Sequence, residues 1–236
     1  MEISILDSYE EISRRAAAII TGQLEKKKDL LLGAATGSTP GRTYDLLAEE
    51  YGRRPQLFAG MRVLKLDEWG GLRMTDAGTS ESYLQERLLS PMGIPPSRYI
   101  SFASDPADPD LECERMQGEL AMAGPLDCCV LGLGLNGHIG FNEPAAFLQP
   151  GFHKARLAEA TLQHSMVAAM ERRPQYGLTL GVGDILQART ILLLISGPAK
   201  KDITRELLSK KVTPDLPASF LWLHAHTICL LDKDAV

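Results

Sequence analysis

The chain has 236 residues, 44% hydrophobic and 23% charged, with 25 Lys and Arg against 30 Asp and Glu, a formal net charge of −5. That length reads as one domain over residues 1–236, able to bury about 70% of its unfolded surface without staples. The acidic balance speaks against nucleic acid or an anionic membrane as a partner, so an anionic substrate has to be met by local donors.

Residues 8–27 predict an amphipathic helix with Ser8 as N-cap. Leu30 to Ala35 reads as a buried strand, Thr36-Gly37-Ser38-Thr39-Pro40 as a turn, and a helix follows to about Tyr51. Val63 to Leu66 reads as a second strand. Helical patterning returns over Glu81–Leu89 and Leu111–Met122, with a Pro/Asp loop at 105–109 between them. Leu126 to Leu131 is a strand leading into Gly132-Leu133-Gly134-Leu135-Asn136-Gly137-His138-Ile139-Gly140-Phe141-Asn142-Glu143-Pro144. Beyond an irregular stretch the pattern predicts a helix at 161–171, a strand at 178–180 and a helix start near Asp184. A strand at 190–195, a helix over 198–208, a further helix at 218–224 and a last strand at 227–231 follow. Such alternation argues for an α/β fold: a mostly parallel, Rossmann-like sheet with helices on both faces.

Cys113, Cys128, Cys129 and Cys229 show neither CxxC nor metal-ligand spacing, and three of them lie in apolar runs. They read as buried, reduced thiols, which suits the cytoplasm. The first five residues lack the basic start and apolar core of a leader, and no apolar run is long enough to cross a membrane.

Four clusters can carry chemistry. The turn at Thr36–Thr39 combines small residues, hydroxyls and a helix start, which suits a phosphate and equally a helix-capping turn. It is neither a P-loop nor GxGxxG. Asp67 and Glu68 follow a strand and point to opposite sides, so at most one faces a cleft; that carboxylate is a candidate general base, or else a solvated strand end or a helix-capping aspartate. Glycines frame His138, with Glu143 five positions on, which favours proton transfer over a structural turn histidine. No HExxH or second ligand cluster points to zinc, and no metal or cofactor is expected. Ser196-Gly197-Pro198-Ala199-Lys200-Lys201 again opens a helix after a strand, where a lysine reaches a phosphate or merely solvent.

Taken together and in this order, the clusters resemble the glucosamine-6-phosphate deaminase/isomerase family, which is related to 6-phosphogluconolactonases. The likeness runs from about residue 8 to 232 through Ala35–Pro40, Leu66-Asp67-Glu68-Trp69, Gly78-Thr79-Ser80-Glu81-Ser82-Tyr83, Gly134–Pro144, Leu178–Gly183 and Ser196–Lys200. The Gly-His-Ile-Gly-Phe-Asn-Glu-Pro string separates deaminases from lactonases. Asp67-Glu68-Trp69, Cys113-Glu114-Arg115 and Pro217–His224 look most like the galactosamine-6-phosphate branch.

The resemblance implies that the phosphate of a hexosamine 6-phosphate sits on Thr36, Gly37, Ser38, Thr39 and Lys200. It further implies that His138 assists ring opening, with Glu143 orienting it. Asp67 would move a proton between C2 and C1, and ammonia would leave C2. Asn136 stands where many members carry aspartate, putting less negative charge beside His138. Many members also bring an arginine to the phosphate; counting back from Thr179 puts His164 there, with Arg172 and Arg173 nearby. No C-terminal extension follows the last strand, so allosteric activation is not expected, while a homo-oligomer is compatible. The alternatives are a lactone hydrolase of the same fold and a sugar-phosphate-binding regulator without catalysis.

Overall fold

Along the central strands, alternate side chains enter two different cores. Leu31, Cys129, Leu131, Ile191, Leu193, Cys229 and Leu231 belong to one apolar cluster, and their neighbours Leu32, Cys128, Val130, Leu192, Leu194 and Leu230 to the other. Period-two alternation with both sets apolar is the mark of a sheet covered on both faces.

The computed structural model describes residues 1–163, 165–168 and 170–236. In chain order the elements are β1 (Glu2–Leu6), α1 (Tyr9–Lys26), β2 (Leu31–Ala34), α2 (Gly41–Arg53), β3 (Arg62–Lys65), β4 (Asp67–Gly70), α3 (Ser80–Leu84), β5 (Tyr99–Ile100) and α4 (Pro109–Ala123). Then come β6 (Cys128–Gly132), β7 (His153–Ala155), α5 (Glu159–Leu162), α6 (Ser165–Ala168), β8 (Tyr176–Thr179), α7 (Val182–Ile185), β9 (Thr190–Ile195), α8 (Lys201–Leu208) and β10 (Thr227–Asp232). Seven strands form one parallel sheet in the order β1-β10-β9-β6-β2-β3-β5. Helices α1 and α2 cover one face; α4 and α8 cover the other. A second, antiparallel sheet has the order β4-β8-β7. No described helix is long and apolar enough to cross a membrane.

The first helix starts where its N-cap predicts: Ser8 Oγ accepts from the Glu11 amide, and Ile12, Ala16, Ile20 and Leu24 bury one face. Some expectations are corrected. The strand read at 178–180 joins the antiparallel sheet, because Asp67–Gly70 pairs with Tyr176–Thr179 instead of closing the first sheet. The helix expected over 161–171 is two short pieces, α5 and α6. Thr161 and Val167 are buried while Ala168 is exposed, a spacing no single helix face holds. The 198–208 helix opens with a 3-10 turn at Pro198–Lys200, and Pro217–Leu223 is 3-10 throughout. Strand β1, assigned no element from sequence, lies at the sheet edge with Ile3 and Ile5 exposed, so burial wrote no core pattern into it.

Buried Asp127, just before β6, ties several elements to one another. It accepts from Lys27 Nζ at 2.6 and 2.8 Å and from the Leu31 amide at 2.8 Å, and it forms an ion pair with Arg189 Nε at 3.3 Å. Asp127→Ala is expected to cost about 1–3 kcal/mol, because it strands a buried amide. Lys27→Ala removes only a half-exposed charge and should cost under about 1 kcal/mol. Urea melts of the two variants check this; equal losses would refute the buried-amide argument.

Candidate active site

The two central strands diverge in their connections. From β2 the chain goes to β3 on one side; from β6 it proceeds, through the second sheet, to β9 on the other. Loops leaving the carboxyl ends of such neighbours part and leave a crevice. A cavity of about 290 Å³ sits there. Its walls are the 35–40 loop after β2, the Gly132–Asn136 turn with His138 after β6, Asp67 and Trp69 of β4, Thr161 of α5, and Lys200. A more open cleft of about 760 Å³ lies alongside, between Phe141–Gln149 and His153–Glu159. It touches Glu143 but neither Asp67 nor His138, so the smaller cavity is where the chemistry can occur.

Asp67 stands where the chain leaves one sheet for the other: the Leu66 amide bonds to Ala34 O in the first, and Asp67 pairs with Thr179 in the second. It is buried, and Ser80 Oγ donates to its Oδ1 at 3.3 Å. Burial pushes its carboxyl up to about 7, and the Glu68 charge adds to this. Ser80 and Lys65 pull the other way.

Glu68 points away from the cavity, as strand alternation requires. Its Oε1 accepts from the Trp69 and Ser80 amides at 2.8 and 2.9 Å. Its Oε2 accepts from the Glu81 amide at 2.9 Å and from Lys65 Nζ at 2.6 Å. Lys65 also donates to Glu81 at 2.8 Å, and Tyr99 Oη closes the cluster on Glu81 at 2.8 Å. Both Lys65 and Glu68 are fully buried. This cluster holds β4 to the start of α3 and so brings Ser80 to Asp67.

His138 is held by a chain of obligatory roles. Glu143 can only accept, so Asn136 presents its Nδ2 to Glu143 Oε2, at 2.8 Å. Asn136 Oδ1 then faces His138 Nδ1 at 2.7 Å, which keeps the proton on Nδ1 and leaves Nε2 free to accept. Glu143 Oε2 itself lies 3.4 Å from Nδ1. Thr161 Oγ1 donates to Glu143 Oε1 at 2.5 Å. Burial works to raise the Glu143 carboxyl, but the hydrogen bonds and charge from His138, Thr161 and Asn136 hold it below the ordinary range. Glycine is required at 134, where a β-carbon would stand 2.5 Å from the imidazole ring. The turn is pinned to β8 by the Phe141 amide on Thr179 Oγ1 at 3.1 Å and by Asn142 Nδ2 on Leu180 O at 2.8 Å.

Thr36, Gly37, Ser38, Thr39, Lys200, Asp67, Asn136 and His138, predicted from sequence, all line the one cavity. Glu143 lies behind Asn136 and His138, outside the cavity wall. Lys200 Nζ donates to Leu133 O at 2.5 Å, and burial lowers its ammonium from the usual value. His164 lies outside the described residues. Arg172 and Arg173 are exposed and absent from the cavity wall, so neither stands where the phosphate arginine was sought. Sequence reasoning missed Thr161, Ser80, Lys65 and the role of Glu68. Ser80 lay within a recognised motif, whereas a threonine of a short helix carries no signal of its own.

A crevice at the switch point of a parallel sheet, holding a near-neutral carboxylate and an oriented imidazole, defines an acid–base enzyme for a small molecule. The chain belongs to the family described as glucosamine-6-phosphate isomerases/6-phosphogluconolactonase, whose model matches residues 7–229. AgaI of Escherichia coli (strain K12), a deaminase in name, is 41% identical over 227 residues, covering 96% of this chain and 90% of that protein. The glucosamine-6-phosphate deaminase of Geobacillus sp. (strain WCH70) is 38% identical, over 97% of this chain and 92% of its own. Among solved structures, a monomeric glucosamine-6-phosphate deaminase of the NagB superfamily superposes with a TM-score of 0.93 at 34% identity, over 100% of this chain and 98% of its own. The 6-phosphogluconolactonase of Leishmania guyanensis shares the fold, with a TM-score of 0.80 at 21% identity over 99% of this chain and 97% of its own.

The Asp67 carboxyl sits above its unfolded value of 3.8, so the folded state holds the extra proton and loses stability as pH rises from 3.8 through about 7. Asp67→Asn should therefore melt with the wild type near about pH 4 and above it near about pH 8. Thermal scans at both pH values check this, and an equal or lower melting point at the higher pH would contradict it.

Proposed function

We propose that the protein is a hexosamine-6-phosphate deaminase/isomerase, with the chain acting as one catalytic domain. The reading rests on one observation above the rest: a buried carboxylate, Asp67, shares a small cavity with His138, whose Nε2 is left free. The substrate phosphate binds the amides and hydroxyls of Thr36–Thr39 together with Lys200. His138 Nε2 takes the proton of the anomeric hydroxyl and delivers it to the ring oxygen, opening the pyranose. Asp67 removes the proton from C2 to form the enolamine and returns it to C1. Water then replaces nitrogen at C2, releasing ammonia and the ketohexose 6-phosphate. Glu143 acts through Asn136, which fixes the imidazole tautomer.

The Asp67-Glu68-Trp69 run, with its likeness to the galactosamine-6-phosphate branch, favours galactosamine 6-phosphate over its gluco epimer. Four free, buried cysteines support a reducing, cytoplasmic setting. The lactonase reading is weaker, because the solved deaminase shares 34% identity with this chain and the lactonase of Leishmania guyanensis 21%. A regulator without catalysis would have no need of Asp67 and His138 together.

Purified protein should release ammonia from galactosamine 6-phosphate and, more slowly, from glucosamine 6-phosphate. Release from neither, or hydrolysis of a phosphogluconolactone instead, rejects the assignment. Asp67→Asn should lower kcat by about 10²–10⁴-fold and leave KM within about twofold. Since Asp67 works ionised, kcat/KM should fall on the acid side of about 7, each unit of pH costing about tenfold well below it. A profile flat through that range would remove Asp67 as the base.

A further inference from the structure

The 36–39 loop is a thin wall. Gly37 and Ser38 line the catalytic cavity on one side and, on the other, a second cavity of about 410 Å³ bordered by Tyr9, Arg42 and Tyr83. From that outer side two phenols reach the loop. Tyr83 Oη donates to Gly37 O at 2.6 Å, and Tyr9 Oη donates to Ser38 O at 2.9 Å. The Arg42 amide donates to Tyr9 Oη at 3.1 Å, which leaves the single phenolic proton for Ser38 O. The Arg42 guanidinium is itself committed to Glu10 and Glu49.

Every peptide bond in the described chain is trans, so a carbonyl and the following N–H point in opposite directions. Holding Gly37 O and Ser38 O outward therefore turns the amides of Ser38 and Thr39 inward, towards the cavity. Neither amide has a backbone acceptor among the described residues. Left alone, a loop containing Gly37 at φ 115° has little resistance to a peptide flip that would aim carbonyls at an anion.

We propose that Tyr9 and Tyr83 are positioning residues that lock the Gly37–Ser38–Thr39 peptides with their amides facing the cavity, and so build its anion site from behind. The inference rests on reading the cavity as a sugar-phosphate site. Gly41 supplies the room: a β-carbon there would lie 2.9 Å from Tyr83 Oη. Gly41→Ala should therefore push the phenol off Gly37 O without touching the loop and without loss of helix propensity.

The test measures binding of inorganic phosphate by calorimetry to wild type, Tyr9→Phe, Tyr83→Phe and Gly41→Ala, with thermal melts confirming the fold of each. Each lost hydrogen bond should weaken phosphate about three- to tenfold. KM for the sugar phosphate should rise in parallel, while kcat and the pH profile stay within about twofold. Phosphate affinity unchanged in both phenylalanine variants overturns the proposal. So does a fall in kcat at constant KM, which would put the phenols on the reacting atoms. Gly41→Ala keeps both hydroxyls, so it decides the Tyr83 half of the proposal even if a phenylalanine variant does not fold. Wild type that binds phosphate but releases no ammonia rejects the proposed reaction and leaves the clamp to be judged on phosphate alone. Wild type that binds no phosphate at millimolar concentration overturns the clamp.

Discussion

The site depends on a carboxylate that lies outside the cavity. Glu68 is fully buried, and each of its oxygens has two donors: three backbone amides and Lys65. An uncompensated charge at that depth would be costly, whereas a fully satisfied one acts as a rigid joint. The joint is placed where the chain steps from the parallel sheet into the antiparallel one. Two consequences follow from its position next to Asp67. Ser80 is held within reach of the Asp67 carboxylate, and the Glu68 carboxylate stands one residue away on the far side of the strand. The first lowers the Asp67 pKa and the second raises it, and burial decides the balance in favour of a near-neutral group.

The histidine side of the cavity uses a different device. The imidazole Nδ1 meets an amide and a carboxylate together, Asn136 Oδ1 at 2.7 Å and Glu143 Oε2 at 3.4 Å, and the amide also bridges ring and carboxylate. An amide has one accepting and one donating end, so it transmits orientation while keeping the Glu143 charge at 3.4 Å. Thr161 holds the far oxygen of Glu143 from α5, which makes that short helix part of the support of the imidazole. The Trp69–Phe141 contact beneath it, with ring centroids 4.5 Å apart, joins both sides of the cavity into one small apolar cluster with Leu157 and Val167. Asp67 and His138 are thus carried on separately braced segments that meet over shared aromatic packing.

Much of this was legible from sequence because the responsible forces are local. Apolar runs at Leu30–Ala35, Leu126–Leu131 and Thr190–Ile195 mark strands buried on both faces, and glycines around His138 mark a turn too crowded for a side chain. The strand–turn–helix order then places the polar turns at strand ends, and the resemblance to the deaminase/isomerase family groups Thr36–Thr39, Asp67, His138 and Lys200 as a set. What escaped was carried by pairing over long sequence separations. Exposed β1 writes no burial pattern. The antiparallel sheet needs Asp67–Gly70 to find Tyr176–Thr179, more than a hundred residues away. Ser80, Thr161, Tyr9 and Tyr83 work through single hydroxyls, which leave no periodic trace.

The amino-acid order by itself determined the α/β class, the strands of the double-faced core and the residues that can bind or move protons, since these follow from side-chain chemistry and local periodicity. Only the tertiary structure decided what those residues become. Asp67 and Glu68 are equivalent as adjacent carboxylates, and strand geometry alone turns one into the cavity and the other into a buried joint. Asn136 is a neutral substitution on paper and a tautomer-setting bridge in space. Solvent exclusion and hydrogen-bond partnership set those roles, and both are properties of packing between segments distant in the chain.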